Sequence, residues 1–280
     1  MKGAYITNEV STPGSSSHVE GAAIGVYNQS GDANLTITLE DTNTIENVST
    51  GIFVFAHSSS TGDATLTITG NGSLNTIGYL NPGIKVQSNG GDATLTIRNA
   101  DVEAKVTTSG SIGVTVQAGS SSSASLTVEG GSLTASGRKG ILFPAGNPKL
   151  EVDDSAIVRA SGGIAAGINE DGPVTPSGVG IVFNDKVGTV YGSVTLLEDL
   201  TIGEDERLML DDGAKLNAGN YDVIVDGGTL DEGLADSLGV SVIYKVTQVE
   251  LGKTSLTLNV GDEENLIPVS YTHLRAHETK

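Results

Sequence analysis

Three aspartates recur at one position of a repeated segment, and their carboxylates are the most regularly placed chemical groups in the chain. The segment Gly-Asp-Ala-x-Leu-Thr-Ile begins at residues 31, 62 and 91, which places Asp32, Asp63 and Asp92 at spacings of 31 and 29 residues. Stacked carboxylates repel unless a cation or a hydrogen-bond donor lies between them. The pattern predicts either a ladder of Ca²⁺ sites built from loop oxygens or Asx-turns in which each Asp caps its own turn.

Threonine and tyrosine side chains are the candidates for contact with a polymeric ligand. The alternation within Leu-Thr-Ile points each Thr away from the side that its apolar neighbours occupy. The predicted outward column consists of Thr36, Thr67, Thr96 and Thr127. Sugar-binding sites commonly stack a ring of the ligand on an aromatic side chain, and the aromatic candidates for this role are Tyr5, Tyr27 and Tyr79.

A catalytic group can be sought among the charged residues near position 150. Asp153 and Asp154 should lie on a coil next to that of Arg138 and Lys139, and paired carboxylates cleave glycosidic bonds at defined separations. The competing interpretation is a turn at the two Asp and a solvated corner at Arg-Lys. No histidine stands at metal-ligand spacing from other ligands, and we predict that the chain is not an enzyme and needs no cofactor other than the Ca²⁺ considered above.

Composition excludes several classes of protein. The 280 residues include no Cys and no Trp, 34 Asp and Glu against 15 Lys and Arg, and a formal net charge of −19. The absence of Cys rules out disulfides and thiolate metal sites, and the negative charge argues against nucleic acid as a partner. No apolar run of about 18 residues is present to span a membrane. The aliphatic content is nevertheless sufficient for a buried core.

The elements that position these residues are short strands repeated along the chain. Each unit of 24–31 residues contains three apolar segments of three to six residues, rich in Val, Ile, Thr and Leu, and no helical periodicity separates them. The period predicts an all-β fold, a parallel β-helix with three short strands per coil, over a sandwich with antiparallel strands. Gly, at 38 of 280 residues, would supply left-handed corners between the strands.

Identical aliphatic residues should then stack from coil to coil in the interior, about 4.8 Å apart. One predicted stack consists of Leu35, Leu66, Leu95, Leu126 and Leu150, and its neighbour of Ile37, Ile68, Ile97, Val128 and Val152. The repeat with long loops covers residues 1–188. From 189 to 235 the strands come closer together, and this acidic segment should continue the solenoid in shorter coils. Residues 236–246 form a linker with one more strand.

Two resemblances concern the second half of the chain. The segment Gly180–Leu210 resembles the closing part of β-helix regions in large bacterial surface proteins, which implies a right-handed, pectate-lyase-like solenoid of adhesin type. Residues 247–268 contain Lys-Thr-Ser-Leu-Thr-Leu-Asn-Val-Gly-Asp from Lys253, which resembles the opening of a bacterial Ig-like group 2 domain. That resemblance implies a truncated Ig-like domain here and further Ig-like domains in the full-length chain.

Residues 269–280 differ in composition from the rest of the chain, because they are rich in polar and basic residues. The segment Val-Ser-Tyr-Thr-His-Leu-Arg-Ala-His-Glu-Thr from Val269 resembles a translated adapter of transposase-based sequencing libraries, which implies a non-native tail. A genuine polar tail is the alternative. The sequence therefore predicts a fragment of an extracellular or cell-surface protein, with the signal peptide and anchor outside it.

The leading functional prediction is a non-catalytic adhesin or stalk that binds polysaccharide or host glycan along the solenoid, since extended repeat surfaces suit polymers. The alternatives are a polysaccharide lyase or glycoside hydrolase of pectate-lyase-like fold, and a structural spacer that binds no ligand.

Overall fold

The computed structural model describes residues 1–3, 5–7, 21–57, 61–238, 242–245, 250–251 and 268–270. It confirms the predicted all-β architecture: consecutive coils of a parallel β-helix lie side by side, and each coil contributes strands to three faces. The only helix among the described residues is α1 (Leu234–Leu238), which follows the last full coil. None of the described helical segments is long and apolar enough to cross a bilayer.

The three faces of the main solenoid are named A, B and C. Face A comprises β3 (Ala33–Leu39), β6 (Ala64–Gly70) and the first halves of β9 (Ala93–Val106), β11 (Ser123–Ser136) and β13 (Asn147–Ser161). Face B comprises β1 (Tyr5–Thr7), β4 (Thr42–Val48), β7 (Ser73–Gly78), the second halves of β9, β11 and β13, and β15 (Pro176–Asn184). Face C comprises β2 (Ala22–Asn28), β5 (Thr50–Ala56), β8 (Ile84–Ser88), β10 (Ile112–Gln117), β12 (Lys139–Phe143) and β14 (Ile164–Ala166).

The predicted interior stacks are confirmed residue by residue. On face A, Leu35 pairs with Leu66, Leu66 with Leu95, Leu95 with Leu126 and Leu126 with Leu150. The neighbouring stack of Ile37, Ile68, Ile97, Val128 and Val152 is in the same register. Leu66 to Leu150 are fully buried, whereas Leu35 in an early coil is only partly buried. Repetition of aliphatic residues therefore builds the core with few aromatic rings.

The corner between faces A and B needs left-handed backbone, but glycine is not the only residue that supplies it. Gly130 and Gly131 have φ of +66° and +69°, while the same corner in other coils is occupied by Asp41 at +55°, Asn99 at +52° and Asp154 at +50°. Asn and Asp tolerate this region because their short polar side chains bond locally. The prediction that glycine makes the corners holds for some coils and is wrong for others.

The chain reverses direction after residue 184. β15 pairs antiparallel with β16 (Val187–Tyr191), with Ile181 opposite Val190 and Phe183 opposite Gly188. From β16 onward the strands are parallel again and form shorter coils. These strands are β17 (Ser193–Thr195), β18 (Leu200–Ile202), β19 (Arg207–Leu210), β20 (Lys215–Asn217), β21 (Val223–Val225), β22 (Thr229–Leu230) and β23 (Val242–Tyr244). The acidic segment is thus a second short solenoid, joined to the first by an antiparallel hairpin.

The two solenoids have separate cores on opposite sides of one strand. In β15, Val182 packs into the core of the main solenoid, whereas Ile181 and Phe183 pack into the second core with Val190 and Leu208. Side chains alternate between the two faces of a strand, so β15 is apolar on both sides. It forms the wall that the two cores share.

The predicted linker contains a strand, since β23 pairs in parallel with β21. Farther on, β24 (Glu250–Leu251) and β25 (Pro268–Ser270) form an antiparallel pair. The remainder of the Ig-like segment 247–268 and of the tail 269–280 lies outside the described residues.

Candidate ligand-binding surfaces

The predicted threonine column lies on the outside of face A. Thr36, Thr67, Thr96 and Thr127 are register partners on successive coils, and the column continues to Glu151 on the next coil. Each Thr is at least partly exposed. A second outward column runs beside it, made of Asn34, Thr65, Thr94, Ser125 and Lys149. Face A therefore presents a regular array of hydroxyl groups.

The three repeated aspartates form a hydrogen-bonded ladder between coils. The Oδ1 atom of Asp32 accepts from the backbone N–H of Asp63 at 3.0 Å, and Oδ1 of Asp63 accepts from the N–H of Asp92 at 2.9 Å. Oδ1 of Asp92 accepts from the N–H of Ser123 at 2.8 Å. Each carboxylate thus binds the backbone of the following coil, not its own turn as the Asx-turn interpretation expected. Among the described residues, no three His, Cys, Asp or Glu are grouped to hold a metal.

The three tyrosines lie at different places. Tyr5 is in β1 opposite Thr44 on face B, and its side chain lies outside the described set. Tyr27 is on face C, with its ring centroid 5.7 Å from that of Phe55. Tyr79 lies at the corner between faces B and C and is 47% exposed. The structure does not bring the tyrosines, the Thr column and the Asp ladder into one site.

The charged residues considered as catalytic candidates lie at different corners of the solenoid. Arg138, at the corner between faces B and C, forms a two-pronged ion pair with Glu170 and donates from Nε to the carbonyl of Gly110 at 3.0 Å. Asp153 and Asp154 lie at the other corner, between faces A and B, where β13 bulges. The Arg138 guanidinium holds the pKa of the Glu170 carboxyl below its usual range through this hydrogen bond. The Arg138 guanidinium is therefore engaged in an ion pair with Glu170 and does not contact Asp153 or Asp154.

Face B carries polar columns that follow the solenoid axis. One column consists of Thr42, Ser73, Asp101 and Ser132, and the next of Thr44, Asn75, Glu103, Thr134 and Arg159. Ser132 Oγ donates to Asp101 Oδ1 at 2.8 Å, and Ser73 Oγ donates to Thr42 Oγ1 at 3.3 Å. These columns form a strip of hydroxyl, amide and carboxylate groups spaced about 4.8 Å apart.

The strip ends in a cleft between face B and the second solenoid, with a volume of about 540 Å³. The cleft exists because the hairpin places the second solenoid against the outer side of face B. Its walls are formed from face B by Ser132, Thr134, Ile157 and Arg159, and from the second part of the chain by Lys186, Glu198, Asp199, Leu200, Thr201, Gly203, Glu204 and Glu206.

The basic groups in the cleft are already engaged by the protein. Arg159 Nη1 donates to both carboxylate oxygens of Glu206, at 2.9 and 3.0 Å, and Nη2 donates to the carbonyl of Thr201 at 2.6 Å. The Arg159 guanidinium also lies 3.8 Å from the ring centroid of Phe183. Lys186 Nζ donates to the carbonyl of Glu204 at 3.0 Å. These bonds fix the cleft wall and tie the second solenoid to the first.

Glu198 lines the cleft, and the pKa of its carboxyl is raised. Burial raises the pKa of its carboxyl, the negative charges of Asp101 and Asp199 raise it further, and Arg159 opposes the shift. Asp199 is itself engaged, since its Oδ1 accepts from the backbone N–H of Asp222 at 3.0 Å. The cleft therefore offers carboxylate acceptors that suit the hydroxyl groups of a sugar.

Sequence reasoning did not find this cleft. The concentration of acidic residues between 189 and 235 was visible in the sequence, and it includes Glu198 and Asp199. The reversal of the chain between β15 and β16 places them opposite Ser132 and Thr134. The only feature of the sequence that indicated this reversal is that β15 is apolar on both faces.

Comparison of the chain with protein-family models, with curated proteins and with solved structures finds no match.

Proposed function

We propose that the chain is a non-catalytic extracellular or cell-surface β-helix module, an adhesin or stalk, that binds a polysaccharide or host glycan. The observation that carries the proposal is the polar strip of face B, which runs along the solenoid and ends in the cleft. A glycan chain lying along this strip would meet hydroxyl and carboxylate partners on successive coils. Its end would enter the cleft between Thr134 and Glu198.

The character of the side chains supports a neutral glycan at this strip. Asp101 and Glu103 accept hydrogen bonds and Ser132 and Thr134 donate and accept them, which matches the hydroxyl groups of a sugar. The cationic groups nearby are already paired, so an anionic glycan would gain no new ion pair in the cleft. The Ig-like resemblance of residues 247–268 supports a surface-exposed location and the presence of further Ig-like domains as neighbours.

A panel of neutral polysaccharides, with binding followed by affinity electrophoresis and calorimetry, tests this proposal. Thr134→Trp fills the mouth of the cleft and should weaken binding at least tenfold. Thr195→Trp, on the exposed side of β17 in the second solenoid, is the matched control and should leave binding unchanged. Thr67→Trp places the same bulk on face A. Loss of binding in Thr67→Trp alone would move the site to the threonine column and overturn the assignment to face B.

The second candidate function is glycoside hydrolysis or lyase chemistry in the same cleft. The observation that favours it is the raised pKa of Glu198 beside two further carboxylates, since a protonated carboxyl can donate to a leaving oxygen. Release of reducing-end or unsaturated products from the polysaccharide panel, abolished by Glu198→Gln, would establish this function. Binding without products supports the non-catalytic module, and binding to no member of the panel supports a structural spacer.

A further inference from the structure

The two polar columns of face B form straight rows outside the cleft. Equivalent positions in each row are register partners over four coils, and no register shift falls between them. The first row consists of Thr42, Ser73, Asp101 and Ser132, and the second of Thr44, Asn75, Glu103 and Thr134. Because each coil advances by about 4.8 Å, each row is about 14 Å long. The rows therefore offer a straight track parallel to the solenoid axis.

The distance between the rows suits the width of a sugar ring. The members of one coil are two residues apart on a strand, so the rows are separated by about 7 Å. A pyranose ring that lies between them can direct the hydroxyl groups of its two edges at both rows. The rows are accessible, since Thr42 and Asp101 are exposed and Thr44 and Thr134 are partly exposed. The Glu103 side chain is 36% exposed.

The carboxylates of the rows retain hydrogen-bonding capacity for a ligand. Asp101 Oδ1 accepts from Ser132 Oγ at 2.8 Å, and Glu103 Oε1 lies 2.5 Å from Nζ of Lys105. Because an ionised carboxylate has about four lone-pair sites, both groups can accept further hydrogen bonds from sugar hydroxyls. The two negative charges repel an anionic sugar, and the cation beside them, Lys105, is already paired. The rows therefore favour an uncharged ligand.

The second solenoid ends the rows after the fourth coil. On the next coil the register partner of Ser132 is Ile157, which is buried in the second core. The register partner of Thr134 is Arg159, which donates to Glu206. Beyond these residues the outer side of face B is covered by the second solenoid. The open strip therefore has a defined length of four coils, and the cleft follows it.

We propose that the strip binds a linear, unbranched glycan of neutral, all-equatorial β-linked pyranose residues, with one sugar residue on each coil. This inference rests on the proposed function of the strip as a glycan site, and it adds the linkage and the length of the chain that is recognised. Such a glycan is a flat, straight ribbon, and its advance per residue is close to the spacing of the coils. Successive residues alternate in orientation, and hydroxyl groups on both edges of the ribbon continue to reach both rows.

A glycan with the helical α-linked geometry does not fit the strip in this way. Its chain curves and leaves a straight track after a few residues, so that additional residues make no further contacts. For the flat ribbon, four coils and the cleft together accommodate about five sugar residues. The dependence of affinity on chain length therefore separates the two linkages.

Calorimetry on the full chain tests this inference with cello-oligosaccharides of two to six residues, and malto-oligosaccharides of the same lengths are the α-linked probes. The affinity for the β-linked series should rise about threefold with each residue, the effect of one net hydrogen bond. The rise should stop at about five residues, where the strip ends. The affinity for the α-linked series should change little with length.

A block on the third coil from the cleft should shorten the strip by a known amount. Ser73→Trp places a large ring across the first row, so the rise in affinity should stop at about three residues, and the affinity for the pentasaccharide should fall about tenfold. The affinity for the disaccharide should equal that of the wild type. Thr65→Trp places the same bulk on face A of the same coil, and this matched control should show the length dependence of the wild type.

Three results would overturn this inference, with the variants shown to be folded by circular dichroism. They are equal affinities for the β-linked and α-linked series, no gain in affinity beyond the disaccharide, and an unchanged length dependence in Ser73→Trp. If neutral glycans of another linkage bind and Thr134→Trp abolishes their binding, the proposed function stands and the linkage assigned here is wrong. Failure of every neutral glycan to bind would remove both proposals.

Discussion

Replacing Gly188 with Ala tests how tightly the Phe183 ring packs against β16 at the junction of the two solenoids. A Cβ atom built at Gly188 lies 2.5, 2.7 and 2.8 Å from the Cε1, Cζ and Cδ1 atoms of Phe183, whereas carbon atoms in contact prefer about 3.5–4.0 Å. The Phe183 side chain is buried in the second core, and the Arg159 guanidinium lies 3.8 Å from its ring centroid. Because Phe183 is buried, its ring cannot move away from an added methyl group without displacing its neighbours. Gly188 does not have a positive φ, so the expected cost is steric and not conformational.

We expect Gly188→Ala to lower the free energy of unfolding by about 1–3 kcal/mol, the usual cost of overpacking a core. At about 2–4 °C per kcal/mol for a domain of this size, Tm should fall by about 2–12 °C. Urea unfolding followed by circular dichroism measures the change. A displaced ring would also disturb Arg159 and hence the wall of the cleft.

Repeating the Gly188→Ala substitution in a Phe183 variant separates its steric cost from its other effects. Phe183→Val removes the Cδ1, Cε1 and Cζ atoms that the new methyl group would meet. In that background Gly188→Ala should be neutral or stabilising by up to about 1 kcal/mol, because Ala loses less backbone entropy than Gly in a strand. An equal cost of Gly188→Ala in both backgrounds, or no cost in the wild type, would refute the steric reasoning.

Two further predictions concern single contacts of the main solenoid. Asp63→Ala removes the acceptor of the Asp92 N–H at an exposed corner and should lower the free energy of unfolding by about 0.5–1.5 kcal/mol, the net contribution of one hydrogen bond, as measured in urea melts. A fall in the wild-type Tm on adding EDTA would instead support the Ca²⁺ ladder, and an unchanged Tm would exclude it. The pKa of Glu170 is lowered in the folded state by Arg138, so this ion pair contributes stability above the unfolded pKa of about 4.3 and loses it as pH falls through the lower folded pKa. Glu170→Gln should therefore lower Tm at pH 7 and make no difference at a pH below that folded value; a Tm difference that persists unchanged in strong acid would contradict the assignment.

Much of the main solenoid could be predicted because its determinants are local and repeated. The alternation in Leu-Thr-Ile decides which side chains enter the core, and the recurring Leu95 and Leu126 fix which coils align. A shift of one residue would place Thr in the core and Leu in solvent. The outward position of Thr67 and Thr96 follows from the same alternation.

The aspartate ladder depends on contacts between coils. The sequence placed Asp32, Asp63 and Asp92 at equivalent corners, and either a cation or the backbone of the same turn could have satisfied them. The structure supplies a third solution, an amide N–H from the next coil at 2.8–3.0 Å. That donor is about 30 residues away in the chain, so only the stacking of coils brings it into reach.

The sequence by itself determined the strands, the interior stacks and the register of the coils, since each depends on side chains within one repeat. The tertiary structure alone decided the reversal after residue 184, the second core and the cleft. In β15, Ile181, Val182 and Phe183 are all apolar, and such a strand can bury either face. The side on which the second core forms is settled by Phe183 packing over Gly188 and under Arg159, contacts between residues on three different strands.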